Sequence, residues 1–246
     1  MLCGGIVANT PNSTSSGRLG TKSRNKLVVS HSIMNAAQSK IYYAYSPKSD
    51  QDYVLRGDLQ WAHFLYVESD VSIAHADYKP CTHTIIVATA PFKTNFDALV
   101  TLRNGRTEYR EVRSSMSLQK LSNAARQEWR EKVEAAERAD VNYRRYTELE
   151  ILDRPQKIAN WMRIIAWLAA TRGRSLHAET LALGSIIHAR GGVTFAEIRA
   201  LGEGASQATY IAAAFRGIQN GIFKADLEYS ALTANTLVEE GSQHES

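Results

Sequence analysis

Cysteine is nearly absent: Cys3 and Cys81 are the only two. That is too few for a disulfide framework and suits a reducing compartment. Cys81 then reads as a small packing residue. No run of about 18 apolar residues occurs, which excludes a membrane-spanning helix. The opening Met1–Ala8 is short and lacks a charged n-region, so it does not read as a secretory signal. Acids are scarce early: residues 1–57 carry seven Lys/Arg against two Asp/Glu, whereas residues 151–246 carry nine of each. The excess sits in Arg18, Lys22, Arg24 and Lys26, in a stretch rich in Ser, Thr, Asn and Gly. Such a composition cannot bury a core, so residues 1–25 read as a mobile basic tail. It would contact phosphates without reading sequence, or simply be solvated. What remains, 44% apolar and 22% charged in 246 residues, is ordinary for a globular chain of one large or two small domains.

The informative stretch is residues 95–113. Phe96–Leu102 reads as a strand with Asp97 near its start, and Arg103-Asn104-Gly105-Arg106 carries the Asn-Gly hairpin signal. Thr107–Arg113 returns as a second strand. Its period of two puts Glu111 and Arg113 on one face and Val112 on the other. An acid before a hairpin, then Glu-x-Arg on the return strand, has the layout of a PD-(D/E)xK nuclease core. Phosphodiester hydrolysis needs a hard divalent cation, and Mg2+ typically takes one or two protein carboxylates. The metal polarises the phosphate and activates water, and a cation two residues on faces the developing charge. In this layout Asp97 and Glu111 hold Mg2+ or Mn2+, the Val112 carbonyl completes the shell, and Arg113 is the cation. The plain alternative is a surface hairpin with ordinary charges.

A preceding helix is also needed, and Asp58–Glu68 has a helix-like apolar spread; the pattern predicts a helix over 52–66. At this point the chain resembles the TnsA endonuclease family, which cuts one strand at each end of a mobile element. The resemblance rests on the order of Leu59-Gln60, Glu68-Ser69-Asp70-Val71, Ala76-Asp77-Tyr78-Lys79-Pro80, Asp97, Asn104-Gly105 and Glu111-Val112-Arg113. It continues through Tyr146–Ile151, Asn160-Trp161 and Gly221–Leu227, covering about residues 50–238. No single motif is specific; the order carries the resemblance. It implies a restriction-endonuclease-like mixed sheet flanked by helices, then an α-rich winged-helix-like domain. It also implies action on double-stranded DNA at transposon ends beside a partner transposase and regulatory ATPase subunits, in a bacterial cytoplasm at the nucleoid. The chain departs from the family pattern at Gln60, where the helix acid is expected, with Asp58 and Glu68 as candidate substitutes. It departs again at Phe96, in place of Pro, and at Arg113, in place of Lys. Arginine stays charged, with a pKa above about 12, and cannot accept a proton. Gln60 would then orient water or the phosphate.

Around this core, Lys26–Val29 and Lys40–Ser46 read as strands and Met34–Ala37 as a brief helix. Val71–Tyr78 alternates as a strand. His83–Ala90 is nearly continuous in apolar residues, as in a sheet centre. Ser117–Ala139 reads as one helix capped by Ser117, with Leu118, Leu121, Ala125, Trp129, Val133 and Ala136 as its stripe. Val141–Tyr146 is a short edge strand. His63, His75 and His83 fall on separate elements and do not form a zinc set.

Asp153-Arg154-Pro155 divides a nuclease-like domain over 26–152 from a C-terminal domain over 153–238. There, Ile158–Ala170 places Ile158, Met162, Ile165 and Leu168 at helical spacing. Leu176–Ala189 ends at Gly191-Gly192, Thr194–Glu197 is a capping box, and Ser206–Asn220 is a third helix with Ile211, Phe215 and Ile218 inward. Gly221 stops it, and Ile222–Leu227 is the wing strand. The polar residues of the third helix, Gln207, Thr209, Arg216, Gln219 and Asn220, include one base, which favours protein docking over duplex reading. The acidic end, 239–246, reads as disordered. Two functions remain open: a metal-dependent endonuclease subunit, or a non-catalytic DNA- or transposase-binding adaptor that keeps the nuclease fold. A winged-helix regulator is a weaker third.

Overall fold

The computed structural model describes residues 40–78, 82–87, 90–138, 142–204 and 206–241. The basic tail, both cysteines, the strand at 26–29, the helix at 34–37 and residues 242–246 lie outside the described residues.

The described residues begin with an antiparallel hairpin, β1 (Ile41–Ser46) and β2 (Gln51–Arg56), paired from Ile41↔Arg56 to Ser46↔Gln51. The helix expected from residue 52 therefore starts later. Tyr53 and Leu55 are buried on alternate positions, the period of a strand. Gly57, at φ +76°, makes the bend into α1 (Gly57–Glu68).

A four-stranded sheet follows, in the order β3 (Ile73–Asp77), β6 (Ala98–Leu102), β7 (Thr107–Val112), β8 (Asn142–Tyr146). The first three are mutually antiparallel and β8 is parallel to β7, so the sheet is mixed. A parallel neighbour requires a long crossover, and α2 (Ser115–Gln119) with α3 (Asn123–Arg138) supplies it. Gly105, at φ +82°, closes the β6–β7 turn, where Leu102 N–H donates to the Arg106 carbonyl at 2.8 Å. α1 covers one face of the sheet; on the other, Phe96, Ala136 and Tyr143 form a small cluster with Trp129 and Val133.

Two expectations fail in this region. Thr82–Val87 (β4) is not a sheet-centre strand: it pairs with β5 (Ala90–Asn95) in a separate ribbon, while β3 pairs directly with β6. An apolar run does not name its neighbours. The helix over 117–139 is also two helices. The Ser114 hydroxyl, not Ser117, caps α2 by accepting from Ser117 N–H at 3.2 Å. Ser122 Oγ then accepts from Ala125 N–H at 3.2 Å and gives α3 its own start.

Beyond β8, a Thr147/Glu150 capping box opens α4 (Glu148–Ile151), and Pro155 occupies the first turn of α5 (Pro155–Ala170). The inward face of α5 is Ile158, Trp161, Ile165 and Leu168; Met162, expected inside, is half exposed. α6 (His177–Arg190) ends at Gly191, φ +77°. β9 (Val193–Thr194) leads through a Thr194/Glu197 capping box into α7 (Phe195–Ala200), and α8 (Ser206–Gln219) follows. β10 (Phe223–Lys224) is shorter than expected because Leu227 N–H turns back to the Ala225 carbonyl at 2.9 Å. The middle strand of this small sheet, β10-β11-β9, is β11 (Leu237–Glu240). Its residues 239 and 240 were expected in a disordered end, but Val238 is fully buried and anchors the strand.

α8 is the centre of the C-terminal half. Ala212, Ala213 and Ala214 are fully buried beside Phe215 and Gly217, and Thr209 and Gln219 lie inside as well. Its expected polar face is thus partly core. One apolar cluster runs from Ala44 through Trp161 to Val238, across the boundary expected at 152/153.

That continuity includes a polar joint. Glu68, fully buried at the end of α1, accepts from Ser46 Oγ at 2.5 Å, Tyr78 Oη at 2.9 Å and Gln219 Nε2 at 2.8 Å. Burial nevertheless holds the Glu68 pKa above the usual carboxylate value. Nearby, Lys48 Nζ donates to the carbonyls of Asp70 and Ile73, and burial lowers its pKa to about 8.

Replacing Gln219 by Ala removes a donor from a buried carboxylate and should cost about 1–3 kcal/mol, read as a lower urea midpoint at unchanged slope. Gly217→Ala places a methyl group into the Phe223 ring. It should cost a similar amount, about 1–3 kcal/mol, through overpacking, and Phe223→Ala should relieve the clash when the two changes are combined.

Candidate active site at the end of the mixed sheet

The first turn of α1 carries Gln60. Its Oε1 accepts from Arg56 N–H at 2.8 Å, which satisfies one of the open donors at the start of the helix. That bond fixes the amide's orientation, so its Nε2 donates to Asp97 Oδ1 at 2.6 Å.

Asp97 lies one residue before β6 and is held by β7 from both ends. Its own N–H donates to the Arg110 carbonyl at 2.8 Å, and its Oδ2 accepts from Val112 N–H at 2.7 Å. Phe96, which precedes it, packs on Tyr109 and Tyr143 with ring centroids 4.3 and 5.5 Å apart. The aromatic anchor thus seats the aspartate where the family pattern has proline.

The strand alternation places Glu111 and Arg113 together. Glu111 Oε1 meets Arg113 Nη2 at 3.0 Å, while Val112 turns into the opposite core. Glu111 is 7% exposed, and the Arg113 side chain is 47% exposed. The guanidinium therefore faces solvent from the rim of a buried acid. Arg113 Nη1 also donates to the Val112 carbonyl at 3.3 Å.

Two further residues belong to the site. Tyr143 Oη donates to Glu111 Oε2 at 2.5 Å, and Arg145 reaches the same oxygen through Nε at 2.9 Å and Nη2 at 2.7 Å. Both come from β8, two residues apart and so on one face. The parallel register sets Glu111 opposite Arg145. The sequence signal was Tyr-x-Arg on a strand; what the sequence lacks is any sign that this strand lies beside β7.

The substitutes for a helix acid are elsewhere. Asp58 is exposed and bonded to Lys40 and Tyr42. Glu68 is at the far end of α1, about 12 Å along the axis at 1.5 Å per residue, and is enclosed by its own donors. Gln60 alone occupies the helix position. His63 is fully enclosed, with its pKa lowered to about 3 by burial, and His75 is exposed. Among the described residues no group of three or more His, Cys, Asp or Glu side chains is placed to hold a metal ion. The acidic donors gathered here are two, Asp97 and Glu111, with the Val112 carbonyl beside them.

The two carboxylates are driven apart electrostatically. Burial pushes the Asp97 pKa up, and the negative charge of Glu111 adds to it; Val112 N–H, Arg113 and Gln60 oppose the rise without cancelling it. Burial works against Glu111 too, but Tyr143, Arg145 and Arg113 together outweigh it and hold its pKa below the ordinary value. Environments that separate a pair of acids in this way assign them different work.

A depressed folded-state pKa stabilises the fold above the unfolded value, and the contribution is lost as pH falls through the folded one. In chelator, the stability gap between the wild type and Glu111→Gln should therefore be widest near neutrality. It should close as pH drops below the ordinary glutamate value of 4.5; urea midpoints across an acid series measure it.

No family model matches this chain, and no curated protein matches it.

Proposed function

We propose that this protein is a divalent-metal-dependent DNA endonuclease of the TnsA-like kind, nicking one strand at the ends of a mobile element. The observation that carries the reading is the convergence of Gln60, Asp97, Glu111 and Arg113 from three separate elements onto one sheet end. The order of elements supports it: a helix bearing the polar residue, then the strands of the two acids, then the α2–α3 crossover and β8. This order supports a restriction-endonuclease-like core. The small helical bundle with its three-stranded sheet is the counterpart of a winged-helix-like domain.

The donor set fits a hard cation. Mg2+ is commonly held by one or two carboxylates, with water and substrate oxygens completing the shell. Asp97, Glu111 and the Val112 carbonyl would hold Mg2+ or Mn2+, which when bound polarises the phosphate and acidifies the attacking water. Gln60 fixes Asp97 through Oδ1. Tyr143 and Arg145 fix Glu111 through Oε2, so that Oε1 points along the strand toward Arg113. The Arg113 guanidinium, open to solvent, stabilises charge that develops on phosphorus. It takes no proton, because its pKa is above about 12.

Selection of the cut site falls to partners, a transposase and a regulatory ATPase acting on double-stranded DNA at the nucleoid. The α8 helix supports this division, since Thr209 and Gln219 of its polar set are buried and cannot read a groove.

A second reading has its own support. Every oxygen of the two acids already has a donor within the chain: Gln60 and Val112 on Asp97, and Tyr143, Arg145 and Arg113 on Glu111. A site so neutralised also suits an adaptor that keeps the fold and binds DNA or the transposase.

Nicking of supercoiled plasmid with Mg2+ or Mn2+, with and without any transposase encoded beside it, separates the two. Asp97→Ala should abolish nicking. Arg113→Ala should lower it by about a hundredfold or more, the scale of losing one transition-state donor, and Arg113→Lys should restore most of it. If the wild type nicks under no condition yet binds the transposase as well as Asp97→Ala does, the adaptor reading replaces this one.

A further inference from the structure

Beside the acids, the α2–α3 turn and β8 enclose a cleft of about 480 Å³. The exposed Arg126 and Arg130 stand at its rim, and the half-buried Leu118, Leu121 and Trp129 line it with the mostly buried Arg145. Arg145 joins the two places: its guanidinium grips Glu111 and lies over the Trp129 ring, 4.8 Å from the centroid.

The balance of charge in the cleft is one-sided. Among the described residues Glu150 is the one acid that lines it, and its carboxylate is taken up by the N–H and hydroxyl of Thr147. Of the acids of α3, Glu128 meets Lys132 at 2.8 Å and Glu131 accepts from Gln127 at 3.0 Å. Arg126 and Arg130 are one helical turn apart, a spacing at which like charges repel unless an anion lies between them. Arg126 is fixed in place by bonds from Nε to the Leu121 carbonyl and from Nη2 to the Gln119 carbonyl. Arg130 is exposed.

Paired guanidiniums beside an apolar lining match a nucleotide that has left the duplex stack, its phosphate on the arginines and its base on the lining. Duplex DNA offers phosphates but keeps its bases stacked, so it would leave Leu118, Leu121 and Trp129 uncovered. The geometry points to this cleft as a binding site for single-stranded DNA adjoining the cut. The inference rests on the nuclease reading for its choice of nucleic acid, and it names the form of substrate that the same site takes.

Binding is measured by fluorescence anisotropy in chelator, where no cleavage occurs, with a labelled oligothymidine and a blunt duplex of the same length. The wild type should hold the single strand more tightly. Arg130→Glu should weaken that binding by about tenfold or more through loss of phosphate contact. Leu118→Gln should weaken the single strand by about fivefold, through loss of the apolar cover over the base, and leave the duplex unchanged. Arg199→Glu, on α7, should change neither. Single-strand binding by Arg130→Glu equal to the wild type, or a wild-type preference for the duplex, overturns the proposal. Because binding is read without metal, a protein that follows this pattern but never nicks retains the cleft and loses the nuclease reading. One that nicks while ignoring Arg130 does the reverse.

Discussion

A carboxylate removed from water must be met by donors or give up its charge, and that constraint organises both halves of this chain. Glu111 stays ionised because Tyr143, Arg145 and Arg113 surround it. Tyr143 and Arg145 reach it only because β8 runs parallel to β7 in one register, a pairing that α2 and α3 allow by carrying the chain back across the sheet. Glu68 makes the same demand at the other end of α1, and Gln219 of α8 helps to answer it. One buried acid thus sets the edge of the sheet, and the other joins the sheet layer to the helical bundle.

The candidate site follows from these supports. Asp97 has fewer compensating charges than Glu111, and burial raises its pKa. Gln60 adds a neutral donor where an acid would have added a third negative charge. The chain therefore carries a smaller negative charge at this point than a three-acid site would, and Arg113 and Arg145 reduce it further. A phosphate approaching this end of the sheet meets cations at the rim before it meets the acids. The cleft next to it extends the same positive rim through Arg126 and Arg130.

Much of the local structure was legible from the residues. The Asn104-Gly105 turn, the Thr194/Glu197 capping box and the glycine stops at 191 and 221 are short-range chemistry, set by φ preferences and by side chains within four residues. The pairing of Glu111 with Arg113 follows from the two-residue period of a strand. The break at Ser122 was equally local but was hidden by an apolar stripe that continues across it. Met162 was misplaced for a related reason: apolar spacing alone does not say which of two adjacent faces, that of Trp161 or its own, turns inward.

What the sequence by itself determined is many of the elements, several of their turns, and the order in which Gln60, Asp97, Glu111 and Arg113 occur. These depend on neighbours in the chain. Tertiary structure alone decided which strands adjoin: β3 beside β6, β4 set apart with β5, β8 parallel to β7, and β11 between β9 and β10. Each of these pairings joins backbone groups whose partners are distant in sequence, and no residue type marks the match. Tyr143 and Arg145 entered the site by that route, as did the burial of Gln219 against Glu68. The acids could be named from the chain, but the donors that set their charge could be found only once the strands were paired.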